Sequence, residues 1–239
     1  MSSINAEGRD YQELNEQIRE AGNSCTITNC CGQRFLAAGM SNKEIAIEGI
    51  PGNALGAYLN GAKITVYANA QDAVGDTMNA GRIVIHGSIG DAAYAMRGGE
   101  IFVQGNAGYR AGIHMKEYGE KIPVLVIGGC AGSFLGEYQA GGIIMVLGLN
   151  RGEKQIVHNF PCTGMHGGKL ILRGDCADIS FPKQVSAAAA TDADMVLIRK
   201  LVKEYCAAFG ADCEEILDAP FTVITPDNAN PYKQMYVAN

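Results

Sequence analysis

Apolar residues recur along this chain in pairs two positions apart. Ile45/Ile47, Ile64/Val66, Ile83/Ile85, Ile101/Val103, Val124/Val126, Ile144/Val146 and Leu170/Leu172 each enclose a single residue. Their second members fall at 47, 66, 85, 103, 126, 146 and 172, with intervals of 19, 19, 18, 23, 20 and 26 residues, and Cys25/Ile27 reads as an eighth copy. Residues two apart share one face of a strand, so each pair predicts a short strand with one buried face. A unit this small cannot bury that face alone; stacked copies can, which predicts a solenoid.

The small residues fit the same unit. Gly49, Ala68, Gly87, Gly105, Gly128, Gly148 and Gly174 follow the pairs, and Ala62, Gly81, Gly99, Gly142 and Gly168 precede them. The spacing G-x2-G-x3-G recurs at Gly49/52/56, Gly105/108/112 and Gly129/132/136. A phosphate loop is expected once, between a strand and a helix, whereas this wording returns coil after coil. The nearest approach to a nucleotide motif, GMHGGKL at 164–170, has the wrong spacing and a leucine after its lysine. Leucine-rich repeats are excluded by the other half of each coil. GNALGAY, GSIGDAAYA and GNAGYRAG are too small to pack a helix behind the strand. The prediction is an all-β parallel β-helix, one strand per coil, of about seven to eight coils.

Both ends are expected to carry helices. Asp10 and Glu13 have capping spacing before a stripe of Tyr11, Leu14 and Ile18 that stops at Gly22. Thr191 and Asp194 repeat that spacing before Met195, Ile198, Leu201, Val202, Tyr205 and Phe209, and Gly210 ends the run. The predicted organisation is a helical segment over 1–24, the β-helix over 25–176, and a helix with an extended, wrapping tail over 177–239. The residues enclosed by the pairs, Ala46, Thr65, Val84, Phe102, Leu125, Met145 and Ile171, should face outward. From Val84 onward this column is apolar, so either the C-terminal helix or another protein, including a second copy, is expected to cover it.

Two coils are longer than the rest, and insertions into repeats often bind. One carries His114, Met115, Lys116 and Tyr118; the other carries His158, Cys162 and His166 at intervals of four, interrupted by Pro161 and Gly164. That interruption favours plain loop residues over a metal site. Cys25, Cys30 and Cys31 form the tightest thiol group, too few for a metal cluster without other ligands. Asp72, Asp76, Asp91 and Glu100 read as single acids at turns or strand edges, which argues against a hydrolase acting on an exposed β-helix face. No catalytic, cofactor-binding or metal-binding residue is assigned.

Composition narrows the setting. Glycine, 31 of 239 residues, is nearly twice the usual share of about 7%. A net charge of −6 without a basic cluster disfavours nucleic acid and anionic membranes as partners. The opening MSSINAEGRD has no signal-peptide character and no apolar run is long enough to span a membrane, so a cytoplasmic protein with reduced cysteines is expected.

The stretches CCGQRFLAAG, GIPGNALGAYLNGAKITVYANAQDAVGDTMNAGRIVIHGSIGDAAYAMRGGEIFVQGNAGYRAGIHMK, VLVIGGCAGSFLGEYQAGGIIMVLGL and GMHGGKLILRG resemble the glycine-repeat (GXGXG) domain at the C-terminal end of the glutamate synthase large subunit. NPYKQMY lends weaker support. The glycine-repeat subunit of formylmethanofuran dehydrogenase shares the wording. The resemblance implies a right-handed β-helix without an active site of its own. It also implies a hetero-oligomer with a glutaminase and an FMN and iron–sulfur synthase that make glutamate from glutamine and 2-oxoglutarate. The alternative is the equivalent subunit of another complex, of the formylmethanofuran dehydrogenase or N-methylglutamate synthase type. This chain has no cysteine run for a cluster and no room for an FMN barrel of about 250 residues. All redox chemistry, and every cofactor, is therefore expected in partner chains.

Overall fold

In the computed structural model, residues 2–227 are described. Nine strands run parallel in sequence order: β1 (Ser2–Asn5), β2 (Ser24–Cys31), β3 (Glu44–Ile50), β4 (Asn60–Val66), β5 (Ala80–Ile85), β6 (Glu100–Val103), β7 (Val124–Ile127), β8 (Ala140–Val146) and β9 (Gly167–Arg173). Each pairs with the next, with register shifts at the ends of the β2/β3, β4/β5 and β8/β9 pairs, and Ile45 meets Ile64, Ile64 meets Ile83 and Ile83 meets Ile101. The result is the expected parallel β-solenoid, with columns of aliphatic side chains through its interior.

One register differs from the sequence reading. Ile101 pairs with Leu125 and Val103 with Ile127, so Leu125 and Ile127 join the interior while Val124 and Val126 face outward. The segment Val-Leu-Val-Ile has no alternation to read, because both of its faces are buried. A one-residue slip in such a run exchanges the faces of every side chain. It also moves the following turn glycine from Gly128 to Gly129, whose N–H donates to the Gly105 carbonyl at 2.8 Å.

Opposite the strands, each coil closes through a ribbon in which alternate residues take the left-handed conformation. Residues 35/37/39, 54/56/58, 73/75/77, 110/112/114, 134/136/138 and 160/162/164 all have φ between about +50° and +71°. Their N–H groups bond alternately to the next coil and the previous one: Ala54 to Asp72, Gly56 back to Leu36, Tyr58 to Asp76. The middle residue points at the core and must be small. A Cβ on Gly75 would come within 2.5 Å of the Ile101 methyl, and one on Gly56 within 2.8 Å of the Ile83 methyl. This is the physical content of the glycine wording. The glycines let the coil turn left-handed and leave room for the aliphatic column.

The ends are built as the capping patterns indicate. Helix α1 (Tyr11–Glu20) starts at Asp10, whose side chain accepts from the Gln12 and Glu13 N–H groups, and buries Leu14 and Ile18. Asn15 binds the first coil through its amide, donating to the Phe35 carbonyl and accepting from the Ala37 N–H. Strand β1, which the sequence did not announce, lays Ile4 beside Ile27.

At the other end, β10 (Val185–Ala189) leads into α2 (Asp192–Phe209), α3 (Cys213–Leu217) and β11 (Phe221–Pro226). The expected wrapping tail is thus ordered structure over these residues. β11 runs antiparallel between β9 and β10. Pro231 and NPYKQMY lie outside the described residues. Helix α2 lies on the outer face, packing Ile198, Leu201, Val202 and Tyr205 against Phe102, Val126, Met145 and Ile171. From Phe102 to Ile171 the apolar column is therefore covered within the chain, while Val84 stays half-buried.

The α2 N-terminus is held by a capping box and a charge pair. Asp194 accepts from the Thr191 N–H (3.1 Å) and hydroxyl (2.6 Å) and from Lys169 Nζ (2.5 Å). These bonds, Lys169 foremost, lower its carboxyl to about 2. A depressed native pKa contributes stability above the ordinary carboxylate range that is lost as pH falls toward the native value. Asp194→Asn is thus expected to melt below the parent at neutral pH, with the difference closing between about pH 4 and 2 in a series of thermal melts.

Candidate functional site

The first and last positions of each left-handed ribbon flank the core-facing one, and several of them reach solvent. In the early coils Ala54, Ala73 and Thr77 are small, while Phe35 and Tyr58 are bulky and exposed. In the later coils these positions are Arg110 and His114, Phe134 and Tyr138, then Phe160 and Gly164, every one at positive φ. A left-handed L-residue costs about 1–2 kcal/mol against glycine or asparagine. The chain nevertheless places bulky side chains there, and strain of this kind collects at functional positions.

These side chains form two rows along the corner. His114 stacks on Tyr138 (5.2 Å, 12°) and meets Tyr94 edge-on at 5.9 Å. Phe134 lies edge-on to Tyr109 at 5.6 Å and tilted against Phe160 at 5.3 Å. The Arg110 guanidinium sits over the Tyr109 and Phe134 rings, 5.0 and 5.6 Å from their centroids, and pairs with Glu137 at 3.2 Å. Tyr138 continues over Gly164, where any Cβ would strike its ring. Tyr109 and Phe160 remain 54% and 62% exposed. Exposed aromatics flanking an ordered arginine have the composition of a protein-binding hot spot.

Of the residues singled out in the sequence, His114 lies in this stripe, Lys116 is exposed, Tyr118 is 68% exposed, and Met115 is core. His158 is exposed, Cys162 is buried with its thiol pushed up to about 12 by desolvation, and the His166 ring lies 3.1 Å from the Gly164 carbonyl. Cys25 and Cys30 are interior, Cys30 raised to about 11 mainly by burial, and Cys31 is exposed. Among the described residues no three His, Cys, Asp or Glu side chains are placed to hold a metal ion. The acids are not single: Asp72 and Asp91 adjoin on neighbouring coils. Their carboxylates are taken up by backbone N–H groups, of Asp91 and Ala73 respectively, as turn ladders.

Arg110, Phe134, Tyr138 and Phe160 escaped the sequence reading. A signal exists for Tyr138 alone, since in GAY, GIH and GEY the residue two beyond the middle glycine is large; Arg110, Phe134 and Phe160 have none.

Among the described residues no helix is long and apolar enough to cross a membrane. The chain is 40% identical to the uncharacterized protein MJ1350 of Methanocaldococcus jannaschii, over 98% of this chain and 95% of that protein. It is similar in fold to a chain of the formyltransferase/hydrolase complex FhcABCD from Methylorubrum extorquens, crystallised with methylofuran. The TM-score is 0.63 at 20% identity, covering 92% of this chain and 89% of that one. The GXGXG motif family model matches residues 7–226, which takes in every coil from β2 to β9 and the helices on the outer face. With that span and the coil geometry in agreement, this chain belongs to the GXGXG motif family.

Proposed function

We propose that this chain is a non-catalytic solenoid subunit of a multi-subunit enzyme complex, and that catalytic partners dock along the aromatic corner. The observation that carries this reading is the row of bulky left-handed residues from Arg110 to Phe160. They are strained where glycine would serve, and Arg110, His114, Tyr138 and Phe160 are exposed around a half-buried Phe134. The likeness over nearly the whole chain to a member of a formyltransferase/hydrolase complex favours partners of that type. A glutamate synthase-type assembly, with glutaminase and FMN/iron–sulfur partners, is the second reading and rests on the shared glycine repeat.

The test is affinity purification of the tagged full chain from its own cells, with identification of what accompanies it. Formyl-transferring or hydrolytic subunits support the first assembly, and a flavin-coloured complex with a glutaminase supports the second. Phe134→Asn keeps a residue that tolerates positive φ, so its melting should stay within about 1 kcal/mol of the parent. Its complex should nevertheless be lost. A variant that still co-purifies with every partner removes the corner as the docking site.

A further inference from the structure

Strand β10 ends the sheet, with β11 on one side and no described strand on the other. The Ala190 N–H donates to the Phe221 carbonyl and the Asp227 N–H to the Gln184 carbonyl, both at 2.9 Å. In an antiparallel ladder these bonds fix the alternation. Residues 184, 186, 188 and 190 face β11, so Ala187 and Ala189 turn their N–H and C=O groups away from it. Residues 186–189, Ser-Ala-Ala-Ala, are all exposed and carry no charge, proline or register shift. Exposed edges are normally blunted by such features.

We propose that two copies of this chain join edge to edge through β10, antiparallel about a two-fold axis beside Ala188. Ala187 of one copy then faces Ala189 of the other. Each such pair exchanges N–H and C=O bonds in both directions, and the symmetry supplies the pair twice. The neighbouring register, with Ala187 facing itself, is poorer because it needs the Val185 N–H, which already donates to the Pro182 carbonyl at 3.2 Å. The charges at the strand ends agree with this register. It sets Gln184 opposite Asp192 of the second copy and brings Lys183 beside that carboxylate. Lys183 and Asp192 are both exposed, and neither is ion-paired among the described residues. The two-fold contact uses no residue of the aromatic corner, so it is independent of the assembly proposed above.

Sedimentation of the purified full chain should give twice the chain mass. Ala187→Pro removes one outward N–H and no bond to β11, so it should halve the mass while melting as the parent does at concentrations too low for it to dimerise. Ala188 meets its own copy at a non-hydrogen-bonded position, where Cα atoms lie about 4.5 Å apart, within the span of a disulfide. Ala188→Cys, made together with Cys31→Ser to remove the exposed native thiol, should therefore give a covalent dimer on mild oxidation by a small-molecule disulfide, which Cys31→Ser alone does not. A monomeric parent overturns the proposal. So does a dimer that Ala187→Pro leaves intact, or an Ala188→Cys chain that forms no cross-link beyond that of Cys31→Ser alone.

Discussion

Gly81→Ala is expected to lower the melting temperature by about 10 °C or more. Two costs coincide at this position. Its φ of +108° lies beyond the left-handed well that other residues tolerate. A Cβ there would also overlap the Ala62 carbonyl oxygen of the preceding coil, a backbone atom held in the sheet. Backbone strain of about 1–3 kcal/mol adds to about 1–3 kcal/mol for overpacking, so a loss of about 4 kcal/mol is expected. Gly22→Ala is the matched control, because nothing lies within 4 Å of its added methyl. Thermal melts of the two variants should differ widely; equal melting would show that the coils can shift apart and that close stacking does not hold them.

The second large effect separates two adjacent residues. Leu125→Glu places a carboxylate in the interior column, whereas Val126→Glu places it under α2 against Phe102 and Met145. Each costs at least about 3 kcal/mol from lost apolar burial and an unpaired buried polar group. The consequences differ in extent. Leu125→Glu should abolish the cooperative fold. Val126→Glu should release α2 and α3 while the parallel coils persist. Hydrogen exchange reads this directly: α2 amides exchange rapidly in Val126→Glu while those of β4 to β6 stay protected. If Leu125→Glu instead frees only α2, the register described for β7 is wrong.

That pair of residues also marks how far the sequence carried the fold. Where an anchor pair encloses a small or polar residue, as Ile45 and Ile47 enclose Ala46 and as Ile64 and Val66 enclose Thr65, the buried face was legible. Val124–Ile127 is buried on both faces, and composition alone offers no parity. The C-terminal sheet was hidden for other reasons. β10 is mostly alanine, a weak strand former, and β11 is bracketed by Pro220 and Pro226. Its strand identity comes from pairing with β9, a contact between residues far apart in the chain, such as Leu172 and Thr222. Alternate left-handed residues were half visible, since glycine announces positive φ but Phe134, Tyr138 and Phe160 do not. Their convergence into rows depends on successive coils setting equivalent ribbon positions side by side, as where the Arg110 N–H donates to the Ser133 carbonyl and the Phe134 N–H to the Asn159 carbonyl.

The chain reverses direction when β11 enters beside β9, and this bears on growth. Stacked parallel coils offer the same template at each terminus, and nothing in that geometry forbids head-to-tail addition of further molecules into a filament. Here β11 is enclosed and the outermost strand, β10, again runs with the coils, but a molecule arriving with β1 foremost meets small, neutral alanines rather than an aliphatic shelf. The aliphatic column stops at Ile224 and Val185, so a further coil added along the axis would bury no more core, and the rod keeps a definite length.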